Sequence, residues 1–375
     1  MENKLIGCYI HIPFCNKICS YCDFSKIYYK KDIVDKYIDE LLVEIDNSYN
    51  NDLIDTLYIG GGTPSSLNIK QLNKLLNNLH NKLNLSKLKE YTIECNFDSI
   101  DYEKLDLFKK YGVNRLSFGL ESINKDNLKV LEREIDKDKV KDIIKYCHKI
   151  GIDNINIDLM YAIPNETKEV LKKDIEFIKK LDITHISTYS LILEEHTKLY
   201  INNIKYIDED LDREMYDLIC DELKEYDHYE ISNFAKSEEY ESIHNLKYWN
   251  NYEYYGYGLG SSGYEGHVRY TKTRSINKYL NGDYIKEDGI EYLTDKDKIY
   301  YQIIMNLRTK YGIDLREFER KYKSRLDNHY NYLKLVEEGL LEINNNHVTI
   351  PKKLWYISNS VIVRLLEEEV WIEKN

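Results

Sequence analysis

Residues 9–24 read YIHIPFCNKICSYCDF, an apolar run closed by a proline and followed by three thiols, Cys15, Cys19 and Cys22, in a CxxxCxxC array. Three readings fit cysteines so closely spaced. Spacing of i, i+4 and i+7 places them on one helix face as a small buried stripe, but Pro13, two residues before the first thiol, disfavours a helix there. With His11 they make a four-ligand zinc site. Alone, they hold an iron–sulfur cluster, which normally takes four cysteines, with one iron left open to bind something else.

The run CYIHI (8–12) is the first of six β-like runs; the others are TLYIG (56–60), YTIEC (91–95), RLSFG (115–119), NINIDLM (154–160) and HISTYSLI (185–192). Between them lie stretches of helical period, such as residues 32–45, 69–79 and 138–150. Strands alternating with helices build parallel βαβ units, so the expected class is α/β and the expected architecture a partial (β/α)6 barrel. Sites on such folds lie at the C-terminal strand ends. There the sequence places the cysteines, GGGTP (60–64), Glu94, GLES (119–122) and Asp158, with Pro13, Pro64 and Pro164 in the same loops. Three successive glycines exceed what a tight turn needs and suit a backbone that must approach a ligand.

At 375 residues the chain exceeds one core, and three regions are expected: a core domain at 1–204, a Tyr-, Gly- and Asn-rich region at 205–294, and a small winged-helix-like module at 295–375. The wing is read from GLLEINNNHVTI (339–350), two short strands joined by asparagines. Net charge of −12 argues against nucleic acid as a partner. No long apolar run marks a membrane span or a secretory leader. Seven cysteines, an odd number scattered over a large chain, fit the reducing cytoplasm and metal-binding or catalytic thiols rather than a disulfide frame.

The motifs YIHIPFCxxxCxYCDF, YIGGGTPSSL, GVNRLSFGLES, NINIDLMYAIPNET, HISTYSL, YEISNFAK and HNLKYW stand in this order. In that order they resemble the oxygen-independent coproporphyrinogen III oxidase-like family of the radical S-adenosylmethionine (radical SAM) superfamily. The resemblance is strongest to its heme chaperone branch and runs from about residue 6 to the C-terminus. It implies a [4Fe–4S] cluster on Cys15, Cys19 and Cys22, whose open iron chelates the methionyl amino and carboxylate groups of S-adenosylmethionine and whose electron releases a 5′-deoxyadenosyl radical. Tyr9 and Tyr21 would flank the cluster. Gly61, Gly62 and Thr63 would meet the methionyl amino group, Arg133 its carboxylate, and Glu94, Glu121 and Asp158 would complete the adenosyl site. His244, with Asn245, Tyr248 and Trp249, matches the HNxxYW motif of the chaperone branch, so His244 is the expected heme ligand.

The function implied is to bind heme and pass it to an acceptor protein, with an electron donor such as a ferredoxin or flavodoxin as a further partner. The alternative is anaerobic oxidative decarboxylation of coproporphyrinogen III; a metal-stabilised binding module without radical chemistry is the third reading. The chain departs from the oxidases at Phe24, where they carry a fourth cysteine, and from the family at Glu121, usually Gln, and at Glu134, usually His.

Overall fold

The computed structural model describes residues 4–370. Six strands, β1 (Leu5–Ile12), β2 (Leu53–Gly61), β3 (Glu90–Asn96), β4 (Arg115–Glu121), β5 (Asn154–Tyr161) and β6 (His185–Ser190), pair in parallel, side by side in chain order. Helices α1 (Lys31–Ser48), α2 (Ile69–Lys82), α3 (Tyr102–Lys110), α4 (Lys125–Leu131), α5 (Lys137–Lys149) and α6 (Lys168–Ile178) make the crossovers. This is the expected partial (β/α)6 barrel.

The strands alternate, apart from an irregularity in β2 at Asp55. Ile10, Ile12, Leu57, Ile59, Ile93, Leu116, Phe118 and Ile157 belong to the buried apolar core shared with the helices. The residues between them, including Tyr58, Glu94, Ser117 and Asp158, occupy the opposite face, which is the inner face of the barrel. A polar lumen wrapped in an apolar shell is what a barrel holding a charged ligand requires.

Residues 205–294 differ from the separate region expected. The hairpin β7 (Asp227–Glu230) and β8 (Asn233–Ala235) joins the β6 edge, antiparallel. At the other edge β9 (Tyr254–Tyr257) pairs in parallel with β1 and continues into the antiparallel strands β10 (Ser262–Glu265), β11 (Val268–Lys272) and β12 (Ile285–Tyr292). One sheet of 12 strands therefore crosses the boundary expected at residue 204. The glycines of YGYGLGSSGYEG explain the docking. A Cβ on Gly258 would lie 2.6 Å from the His11 carbonyl oxygen, and one on Gly260 would lie 1.9 Å from Ser25 Oγ. The glycine-rich chain is pressed against β1 and the cysteine loop.

From residue 295 a second apolar cluster forms around Ile303, Leu335, Val348 and Leu365. Helix α7 (Asp295–Asn306), strand β13 (Ile313–Asp314), helices α8 (Leu315–Tyr322) and α9 (Tyr332–Glu337), and the two-stranded wing β14 (Glu342–Asn344) and β15 (His347–Thr349) follow in winged-helix order. The wing turns on Asn345 and Asn346, both at positive φ. No helix among the described residues is long and apolar enough to cross a membrane.

One buried carboxylate ties the added strands to the barrel. Glu44 of α1 is 1% exposed, pairs with Lys272 of β11 at 2.8 Å, and accepts hydrogen bonds from Gly258 N at 2.9 Å and the Tyr279 hydroxyl at 2.5 Å. Removing one partner of such a pair strands the other charge, at a cost of about 3–5 kcal/mol. Glu44→Ala is expected to lower unfolding stability by about 3 kcal/mol or more in urea titration.

Candidate functional site

The site is built where β1 and β2 end together. Ile12 pairs with Gly61, and Gly62 N donates to the Ile12 carbonyl at 2.9 Å. The chain then turns through Pro13, and Phe14–Cys15 pairs in parallel with Ile27–Tyr28, which pinches off a loop carrying Cys19 and Cys22. The three thiols line one cavity of about 360 Å³, which Tyr21, Gly61, Gly62, Thr63, Glu94, Glu121, Arg133 and Asp158 also line. Burial holds the Cys15 thiol up at about 11 and also raises that of Cys22. Metal binding at these thiols therefore entails release of their protons.

The glycine loop has no spare room. A Cβ on Gly62 would meet Pro13 C at 2.7 Å and Cys15 Sγ at 3.0 Å; one on Gly60 would meet the Glu94 carboxylate at 2.8 Å. Glu94 accepts from Gly61 N at 2.9 Å and from the Tyr58 hydroxyl at 2.8 Å, so it is fixed in place. Thr63 Oγ1 reaches Cys15 Sγ at 3.6 Å.

Arg133 crosses the cavity. It donates to the Gly119 carbonyl at 2.7 Å, to Asn96 Oδ1 at 3.1 Å and to Cys19 Sγ at 3.5 Å, and lies 3.7 Å from Glu121 Oε1. Its Nε is buried without a partner, a donor left for something else. Glu121 sits at φ 64°, at an irregularity where β4 pairs with β5. Three carboxylates thus share the cavity wall. Burial raises all three, and for Asp158 the neighbouring Glu121 and Glu94 charges add to it, up to about 8. Asn156 Nδ2 donates to Asp158 at 2.8 Å.

Three expected residues take other places. His11 uses both ring nitrogens, Nε2 on the Ser25 carbonyl at 2.7 Å and Nδ1 on the Tyr9 hydroxyl at 3.0 Å, so it has no lone pair for zinc. Tyr9 lines an adjoining cleft instead of the thiol cavity. His244 is 1% exposed, with Nδ1 on Thr56 Oγ1 at 2.8 Å and Nε2 on the Tyr248 hydroxyl at 2.7 Å, and its ring stacks on Tyr58. It lines neither cavity. Ligation of heme iron by His244 would take one ring nitrogen out of its hydrogen bond and require the enclosed ring to be uncovered.

Comparison with known proteins agrees with the geometry. Residues 9–178 match the model of the radical SAM superfamily, and residues 293–355 match the HemN C-terminal domain. Heme chaperone HemW of Lactococcus lactis is 36% identical over 99% of this chain and 100% of that protein. Heme chaperone HemW of Bacillus subtilis is 35% identical, over 96% of this chain and 99% of its own length. The chain belongs to the HemW family of radical SAM proteins. The solved structure of Escherichia coli coproporphyrinogen III oxidase, HemN, shares the fold, with a TM-score of 0.84 and 21% identity over 96% of this chain and 90% of that one.

The residues present fit the groups that a radical SAM domain implies. Three thiols lining one cavity suit a cluster with an open iron. Among the described residues no three His, Cys, Asp or Glu side chains are set to hold a single metal ion. Arg133, with its unpartnered Nε, suits a carboxylate, and Glu94 and Asp158 suit hydroxyl donors. Cys15, Cys19 and Cys22 would hold such a cluster, which would supply one-electron reduction of a bound sulfonium; the chain's own part is to hold, orient and shield. Sequence reading missed Asn96, which links Thr63 Oγ1 at 3.0 Å to Arg133, and the cavity-lining Met160 and Tyr189. The signal was the period of two, since Asn96 follows Glu94 and Met160 follows Asp158 on the same face.

Two outcomes follow for the carboxylates. Glu121 competes with a ligand carboxylate for Arg133, so Glu121→Gln is expected to leave S-adenosylmethionine affinity unchanged or raise it; a loss beyond about tenfold in equilibrium dialysis would contradict this. For Asp158, a folded value near 8 against about 3.9 unfolded means that the folded state holds the extra proton between those pH values. Its contribution to stability is therefore present at low pH and lost as pH rises toward 8. Asp158→Asn is expected to flatten the pH dependence of urea unfolding between pH 5 and 7, by up to about 1.4 kcal/mol per pH unit.

Proposed function

We propose that this chain is a heme chaperone that binds heme and passes it to an acceptor protein, on a scaffold holding a [4Fe–4S] cluster and S-adenosylmethionine. The observation that carries the reading is identity with the HemW proteins of 35–36% along nearly the whole length of both partners, C-terminal region included. The free cysteines, none of them in a disulfide among the described residues, fit work in the reducing cytoplasm. A ferredoxin or flavodoxin is the class of donor that would reduce the cluster.

The rim of the cavity supports a ligand with an apolar face. Phe24 is 66% exposed, and with Ile18, Tyr189 and Ile192 it makes an apolar mouth above the thiols. Large apolar side chains left exposed around a cleft mark a binding surface. Phe24 also replaces the fourth cysteine of the oxidases, which weighs against the coproporphyrinogen reading.

The test uses anaerobically reconstituted protein. Ferric protoporphyrin IX is expected to bind at about one per chain and to move to an apo-hemoprotein of the respiratory type on mixing, while coproporphyrinogen III with S-adenosylmethionine and reductant is left unconsumed. Formation of protoporphyrinogen would overturn the chaperone reading in favour of the oxidase.

A further inference from the structure

We propose that a small, acidic electron-carrier protein docks in the groove beside Arg133, held by Lys125 and Lys129; this rests on the cluster-bearing scaffold proposed above and names the face from which the cluster is reduced. The groove, about 800 Å³, is walled by α4, by the loop from Glu132 to Asp136, and by Phe97 and Asp98 after β3. It shares Lys17 and Arg133 with the thiol cavity and no residue with the cleft that Tyr9 lines. Phe24 does not line it, so a protein seated there need not cover the mouth above the thiols.

The charge of the groove runs against that of the chain. The net charge is −12, yet Lys17, Lys125, Lys129, Arg133 and Lys139 all line this one surface. Its carboxylates are largely committed. Glu134 pairs with Lys17 at 3.1 Å, Glu132 pairs with Lys198, and Asp136 caps the start of α5, accepting from Asp138 N at 3.0 Å and Lys139 N at 3.2 Å. Asp98 stays exposed, with Lys139 Nζ on its carbonyl at 3.4 Å. Lys125 and Lys129 differ, being exposed and without an ion pair among the described residues. Four residues apart on α4, they stand on one helix face, where two like charges oppose the helix slightly. An anionic partner turns that cost into attraction.

The place of the groove suits electron transfer. Arg133 lines both it and the thiol cavity, and Arg133 Nη1 lies 3.5 Å from Cys19 Sγ. A carrier touching Arg133 is therefore one side chain from a ligand of the cluster. Leu128 and Ile135 add a small apolar patch to the wall. Redox partners meet through small interfaces, below about 1,200 Å², and complementary charge gives them speed and orientation more than affinity. The partner that fits is a carrier whose redox centre is rimmed by carboxylates. One electron passes from the reduced carrier to the [4Fe–4S] cluster; the carrier is oxidised by one, the cluster is reduced by one, and no bond forms or breaks.

The experiment follows cluster reduction by stopped-flow absorbance in full-length, cluster-loaded protein, with dithionite or with an acidic ferredoxin or flavodoxin reduced beforehand. For the wild type, reduction by at least one carrier is expected to be fast at low salt and to slow steeply as salt rises. With both Lys125→Glu and Lys129→Glu, that carrier should act about tenfold or more slowly at low salt and lose its salt dependence, while cluster absorbance and the extent of reduction by dithionite stay unchanged. Lys173→Glu with Lys353→Glu, the same change of net charge outside the groove, should behave as the wild type. An equal loss in both double variants would reduce the effect to net charge and overturn the site. Wild-type kinetics in the Lys125 and Lys129 variant, or failure of both carriers where dithionite succeeds, would overturn it too. Failure of dithionite as well would overturn the cluster reading itself.

Discussion

Parallel pairing of β1, with β2 on one side and β9 on the other, is the constraint on which the site depends. The β2 ladder sets the ends of both strands level, so the cysteine loop leaves at Ile12 beside the glycine loop leaving at Gly61. The β9 ladder brings the glycine-rich segment against the back of the same loop, where the Tyr37 hydroxyl donates to the His11 carbonyl at 2.7 Å and accepts from Leu259 N at 2.9 Å. A slip of one residue would turn Ile10 and Ile12 into the polar lumen and Tyr9 and His11 into the apolar shell. The alternation of the sequence itself forbids it.

The lumen is costly to maintain. Glu94, Glu121, Asp158, Arg115 and Arg133 are all withdrawn from water, and Arg115 Nε has no partner. A barrel selected for stability alone would fill this space with apolar side chains, because buried charges rarely repay their desolvation. The arrangement makes sense if the charges are completed by a ligand. The HNxxYW segment closes the lumen: Glu90 of β3 accepts from Ile243 N at 2.8 Å and His244 N at 3.1 Å, and His244 stacks beneath Tyr58, whose hydroxyl holds Glu94.

What was legible in the sequence was local or periodic. The order of six strands, the helices between them and the cysteine and glycine loops could all be read from runs of a few residues, because the barrel pairs neighbours in sequence. The placement of residues 205–294 could not. It depends on β9 reaching β1 across 247 residues, as the Thr56 to His244 bond spans 188. Nothing local in YGYGLGSSGYEG tells a linker from a strand except its glycines, and their reason, close approach to His11 and Ser25, exists only in three dimensions. The motif likewise showed a histidine and hid that its ring is enclosed, bonded to Thr56 and to its i+4 neighbour Tyr248.

Phe24 joins these observations. Its side chain lies on the wall common to the thiol cavity and the cleft, and it is the most exposed phenylalanine among the large apolar residues left in contact with water. Covering such a side chain is worth roughly 1.5–3 kcal/mol, a gain open to whatever lies over it from either side. A ligand seated in the cleft and resting on Phe24 changes the mouth of the thiol cavity, and a ligand in the thiol cavity changes the face that Phe24 presents to the cleft. A cysteine in this position would bring no comparable apolar surface to the wall.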